Sequence, residues 1–131
     1  MRHLMRVLTL GLILGTASAA LAQPYTTPPM LKPIGYETMT VGAAAKGLTA
    51  SQIAPADWRR NGKATLVFLS VESNDIRVCL DGTAASATNC HVLAADGAML
   101  VYSTEALTQM QMYAGGGNAT VKVTYFRAVG K

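Results

Sequence analysis

Charge, aromatic residues, histidine and cysteine are all scarce in this chain, and each scarcity closes off a class of protein. Charged residues make up 14% and aromatic residues 6% of 131 positions, with two histidines and two cysteines. The formal charge is +4, of which Arg2 and Arg6 supply two, so the field is too weak to steer the chain to nucleic acid or to an anionic membrane surface. Beyond the first 22 residues no apolar run approaches the ~20 residues that a membrane-spanning helix requires, since Ala64–Val71 is interrupted by Thr65 and Ser70. No nucleophile-elbow sequence is present, and the glycines of Gly115–Asn118 are not followed by the Lys-Ser/Thr pair of a phosphate loop. His91 is the one histidine outside the leader. A zinc site would have to combine it with Cys79 and Cys90 as free thiolates; a general base would have to be His91 itself, with Asp81, Asp96, Ser86 or Ser103 as neighbours. The residues therefore point to no catalytic residue, metal or cofactor, and to a protein that is not an enzyme.

What is present begins with a leader. Arg2 and Arg6 precede the apolar run Val7–Leu14, and Ala20-Leu21-Ala22 forms a small-x-small cleavage site before Gln23. This order is that of a secretory signal, which predicts export to the periplasm or the medium and a mature chain without a membrane span. The residues after Ala22 fit one domain with a core of its own. An oxidising compartment and an even pair of cysteines then predict a disulfide between Cys79 and Cys90, closing a loop of about a dozen residues worth about 3 kcal/mol in the chain-entropy model.

Four of the five prolines fall within Gln23–Pro33. Such a segment neither propagates a helix nor pairs as a central strand, so residues 23–35 are expected to form an extended arm, either loose or ordered by a partner. From Tyr36 to the end, residues 36–131, short runs rich in β-branched and aromatic residues alternate with Gly, Asn and Asp, the pattern of an all-β domain. Tyr36, Thr38 and Thr40 share one face of the first run and Glu37, Met39 and Val41 the other. Gly47–Gln52 can make one helical turn, with Thr49 and Gln52 placed as a capping box. Ala64–Glu72 is apolar enough to be a central strand with both faces covered. Ile76–Asp81 directs Ile76, Val78 and Leu80 inward, with Arg77, Cys79 and Asp81 outward. Ala98–Tyr102 is a strand, Thr104–Leu107 a turn, Gln109–Tyr113 a strand with Met110 and Met112 inward, and Gly115–Asn118 a hairpin connection. Ala119–Arg127 closes the domain with Val121, Val123 and Tyr125 buried and Lys122, Thr124 and Phe126 on the other face. About seven short strands predict a two-sheet antiparallel β-sandwich with one disulfide.

Trp58, Arg59 and Arg60 form the first candidate binding group, because Trp and Arg dominate contact hot spots. The alternative places Trp58 as a plug at one end of the sandwich with both arginines in water. Tyr113 is a second aromatic candidate, and with Trp58 it would stack on a surface polysaccharide. Asp81, Gly82 and Thr83 carry a turn signal.

The succession Ile76–Thr83, the small-residue loop Ala84–Asn89, and His91-Val92-Leu93-Ala94-Ala95-Asp96-Gly97 resembles a pattern found in small β-sandwich proteins of tailed-phage particles and prophage regions. Gly47-Leu48-Thr49 and Ala119–Tyr125 extend the resemblance over roughly residues 36–127. It implies a structural accessory module of the virion that packs on other protein subunits or on itself, with Asp81, Gly82 and Thr83 serving the turn. The signal, the cysteine pair and the absence of a proline in the loop depart from that pattern. The combined expectation is an exported, non-enzymatic interaction module; the alternative is an exported β-sandwich that binds carbohydrate or the cell surface.

Overall fold

The computed structural model describes residues 29–129; the leader, residues 23–28 of the arm, and residues 130–131 lie outside the described residues. In chain order the elements are β1 (Met30–Val41), α1 (Ala50–Ile53), α2 (Trp58–Asn61), β2 (Leu66–Val71), β3 (Ile76–Cys79), β4 (His91–Leu93), β5 (Ala98–Tyr102), α3 (Thr104–Gln109), β6 (Gln111–Tyr113) and β7 (Ala119–Val129). They form two antiparallel sheets, one of four strands in the order β1-β7-β2-β5 and one of three in the order β4-β3-β6. This is the seven-stranded, two-sheet all-β fold that the alternation predicts, with the Cys79–Cys90 disulfide formed.

Period-2 alternation produces the layering, because every second side chain of a strand points to the same side. Register turns those positions into rows across the large sheet. Val123 pairs with Glu37 and with Leu69, and Leu69 with Met99; Tyr125 pairs with Gly35 and with Val67, and Val67 with Val101. These rows meet Ile76, Val78 and Met112 of the small sheet, and Leu107 and Met110 at one end of it close the core. Tyr125 is the single aromatic side chain in this core. Burial raises the pKa of its phenol, and the hydrogen bond it donates to the Glu37 carboxylate raises it further. Glu37 also accepts a 2.5 Å hydrogen bond from the Thr49 hydroxyl, so one carboxylate ties β7, β1 and the approach to α1 together.

The structure corrects the sequence reading at six places. Residues 30–35 are not part of a free arm, since β1 begins at Met30 and pairs with β7. Pro33 is accommodated because β1 is an edge strand and its register shifts between Pro33 and Gly35. The capping box at Thr49 does not form: the hydroxyl is spent on Glu37, and Thr49 makes no side-chain cap. Thr104–Leu107 is the start of the six-residue helix α3, capped by Ser103, whose side chain accepts a hydrogen bond from the Ala106 N–H. Gly115–Asn118 does not join two hairpin strands, because β6 belongs to the small sheet and β7 to the large one; the glycines carry the chain across the sandwich. Cys79 lies on the outward side of β3 yet is buried beneath the loop that its own disulfide holds. Finally, β2 is central, but its outer face is only partly covered, since Leu66 is buried and Phe68 remains 42% exposed.

Candidate binding surfaces

Trp58 and its arginines sit on α2, a single helical turn that ends at Gly62 with φ +84°. Trp58 is 38% exposed, and two cations lie over its ring, Lys63 Nζ at 4.6 Å and the Arg59 guanidinium carbon at 5.8 Å from the centroid. Asp57, just before α2, holds that turn to the sandwich by accepting a 2.5 Å hydrogen bond from the Asn61 amide and facing the Arg127 guanidinium at 3.6 Å. The Asn61 bond, aided by the Arg127 charge, lowers the pKa of the Asp57 carboxyl. Arg59 and Arg60 are exposed. The indole is thus neither a buried plug nor a bare stacking face, being occupied by cations of its own chain.

Tyr113 lies elsewhere. It pairs with Arg77 in the small sheet, and with Val92 and the turn residues Asn74, Asp75 and Gly115 it lines a cleft of about 650 Å3. Its ring lies over Gly115, where an added Cβ would stand 2.9 Å from the tyrosine Cε1. Arg77 donates from one nitrogen to the main-chain oxygens of Asn89 and Cys90 at 3.3 and 3.4 Å, fixing the disulfide loop over the sheet. Asn74, in this cleft, donates to the Asn118 carbonyl beside the start of β7, whereas α2 is tied to Arg127 near its end. Trp58 and Tyr113 therefore sit toward opposite ends of β7 and do not converge on one ligand.

Cys79 and Cys90 continue the β3–β4 register one step beyond the Val78–His91 pair, which brings their Cα atoms to 5.0 Å. Asp81, Gly82 and Thr83 form the turn that follows: the Asp81 carboxylate accepts a 3.0 Å hydrogen bond from the Thr83 N–H, and Gly82 takes φ +83°. That main-chain donor, assisted by the Thr83 side chain, lowers the pKa of the Asp81 carboxyl. His91 is exposed beside Asp81 in a shallow cleft that also holds the disulfide. Ser103 caps α3 and Ser86 accepts from the Thr88 N–H in the cysteine loop, so both candidate hydroxyls have local structural roles. Among the described residues no group of three or more His, Cys, Asp and Glu is placed to hold a metal ion.

The surface that sequence reading missed is the outer face of the four-stranded sheet. Register lines up Tyr36, Thr124, Phe68 and Leu100 as one row across all four strands, and Phe126, Leu66 and Tyr102 as the next. Tyr36 is 56%, Leu100 49% and Tyr102 64% exposed. Both phenylalanines of the chain are on this face, and of the described aromatic residues Tyr125 alone is buried. No protein-family model, curated protein or solved structure matches the chain. Function must therefore be argued from this geometry. The third row, Thr38, Lys122, Ser70 and Ala98, is polar at its centre, and Lys122 is paired with Glu72 at the margin, which raises the Lys122 pKa. The exposed Tyr36, Phe68, Leu100 and Tyr102 give this face an apolar surface suited to contact, with Thr124 and the Lys122–Glu72 pair among them and Leu66 itself buried.

The missed signal was in the sequence in pieces. Phe126 and Tyr36 already fall on the face opposite the buried one, but only the pairing of β1, β7, β2 and β5 sets them beside Phe68, Leu100 and Tyr102.

Proposed function

We propose that this protein is an exported, non-enzymatic assembly module that docks on other protein surfaces through the outer face of its four-stranded sheet. The observation that supports this reading is the placement of its aromatic residues. A chain with few of them leaves Tyr36, Phe68, Tyr102 and Phe126 on one outer face and builds its core from Val, Leu, Ile and Met around Tyr125. Monomeric domains rarely expose an apolar face of this kind unless a partner covers it. The resemblance to virion accessory proteins supports the same class of activity and suggests a particle subunit as partner. Among the described residues no helix is long and apolar enough to cross a membrane.

The test is co-sedimentation with tailed-phage particles prepared from the host strain, comparing wild type with Phe68→Lys. Sedimentation of the wild type and its loss in the variant is the expected result. Equal behaviour of the two would remove the sheet face from the reading. Binding of the wild type to insoluble neutral polysaccharide instead of particles would replace it with the carbohydrate alternative, with Tyr36 and Tyr102 as the stacking residues in place of Trp58 and Tyr113.

A further inference from the structure

We infer that the end of the sandwich around α2 is a docking surface for a membrane of anionic phospholipid, separate from the outer sheet face. Net charge alone argues against such a partner, but the local field depends on where the charges stand. Register sets Lys32 beside Arg127, where β1 begins and β7 ends, and the contact of Arg127 with Asp57 brings the segment that carries Arg59, Arg60 and Lys63 to the same end. These are five of the eight Lys and Arg within residues 29–129. The other three lie elsewhere, Lys46 on the Thr40 carbonyl, Arg77 on the cysteine loop and Lys122 on Glu72. Two carboxylates are near the five: Asp57, which faces Arg127, and Glu105, which follows a Thr104 hydroxyl bonded to the Ala64 carbonyl. Among the described residues Lys32, Arg59, Arg60 and Lys63 are in no ion pair.

The second observation is the company these cations keep. Residues 56–63 are exposed without interruption, and α2 sends no side chain into the core, whereas α1 buries Ile53. Trp58 therefore stands on a turn that contributes nothing to packing, with Lys63 and Arg59 over its ring. Met30 and Leu31, the residues of β1 just before Lys32, are exposed as well. An indole and apolar side chains set among cations match a lipid interface, where the indole settles at headgroup level and the cations meet the phosphates. A single-stranded nucleic acid would use the indole as a bare stacking face, and that face is taken by the chain's own cations.

Each Lys or Arg held near an anionic bilayer strengthens binding about five-fold. The four unpaired cations together supply a factor of several hundred, roughly, by the same rule. Reversible attachment to a membrane surface needs two signals, and the apolar contact of Trp58 and Met30 is the second. The attachment is peripheral and salt-sensitive, because the cations are exposed and screened by ions.

The experiment is co-sedimentation with vesicles, using protein purified after expression of the full 131-residue chain. The wild type is expected to pellet with vesicles of phosphatidylglycerol and phosphatidylcholine in equal parts and to stay in solution with phosphatidylcholine alone. Raising NaCl from about 50 mM to about 500 mM, which shortens the reach of exposed charges, is expected to release it. The double variant Arg59→Gln, Arg60→Gln, with unchanged circular dichroism, is expected to bind about 25-fold more weakly, at about five-fold per cation. Trp58 is the one tryptophan of the chain, so its emission reports the site directly and is expected to shift to shorter wavelength with the anionic vesicles. No pelleting with those vesicles, or pelleting that neither salt nor the double variant weakens, overturns the inference. Pelleting without a change in Trp58 emission places the contact elsewhere and overturns it too. Double-stranded DNA that binds the protein more tightly than the vesicles do, and strips it from them at equal phosphate concentration, replaces the lipid surface with nucleic acid.

Discussion

The two faces of the four-stranded sheet both carry apolar side chains, yet they are built from different residues. On β2 the side chains alternate between Val67, Leu69 and Val71, all buried against the small sheet, and Leu66, Phe68 and Ser70 on the other side, where Phe68 is exposed. The inner face is aliphatic and interdigitated, the arrangement that gives a core its density. The outer face exposes Tyr36, Phe68, Leu100 and Tyr102 around Thr124, with Lys122 and Ser70 in the next row. Aliphatic side chains fit a fixed set of neighbours, whereas Tyr and Phe present large rigid areas at low entropic cost and tolerate both water and contact. The difference places the packed core on one face and leaves the other to carry the proposed docking.

Adjacent residues can break that assignment. Leu69→Ala is expected to destabilise the fold by about 2 to 5 kcal/mol, as truncations in packed cores do, while Phe68→Ala, one position earlier, is expected to cost under about 0.5 kcal/mol in the monomer, as exposed substitutions do. Urea denaturation at low protein concentration measures both. Comparable losses for the two would mean that the outer face is part of the folded core.

The small sheet sharpens the comparison, because a loop of the chain is tied to its outer row at Arg77, beside an exposed Val92. The loop between Cys79 and Cys90 is joined to β3 by the disulfide and by Arg77, which donates to two of its carbonyl oxygens. Replacing both cysteines with serine is expected to cost about 3 kcal/mol and to open the loop to protease cleavage within residues 80–90. Unchanged stability and resistance would show that Arg77 suffices to hold the loop.

Tyr125 tests the polar exception on the aliphatic side. Tyr125→Phe removes the donor to Glu37 and is expected to cost about 1 to 2 kcal/mol, the range for a polar group left short of a partner on folding. The phenol also sets a pH dependence whose sign follows from its raised pKa. Its contribution to stability is full below the unfolded tyrosine value of about 10 and is lost as pH rises beyond it, because the unfolded chain ionises while the folded one does not. Ultraviolet titration should show Tyr125 ionising only on unfolding. In Tyr125→Phe the alkaline loss of stability should be smaller, and an equal loss would assign it to other groups.

The smallest effect belongs to the turn after the disulfide. Gly82 has φ +83° and open space where a Cβ would stand, so Gly82→Ala is strained by backbone conformation alone. Its expected cost is about 1 kcal/mol, measured by thermal unfolding. A cost several-fold larger would mean that the loop contributes to the core.

Alternation and the cysteine pair were enough, by themselves, to determine the fold class, the disulfide and the buried faces of β1 and β7. These are local properties: strand period sends Met39, Val41, Val121, Val123 and Tyr125 to one side whatever the neighbouring strand is. The same local reasoning failed where the outcome depended on which strand lies beside which. It read Pro33 as outside the sheet because a central strand excludes proline, and only the edge position of β1 admits it. The glycines after Tyr113 looked like a hairpin because consecutive strands usually pair, and only the sheet order shows that they cross between layers. Thr49 looked like a cap because its hydroxyl is near the helix start, and only the fold brings Glu37 to compete for it. Trp58 stood out because it is the one tryptophan in the chain, whereas the candidate site is spread over β1, β7, β2 and β5. Residues from Tyr36 to Phe126 become one surface only when long-range register sets them side by side, and register is a property of strand pairs that no single run of residues contains.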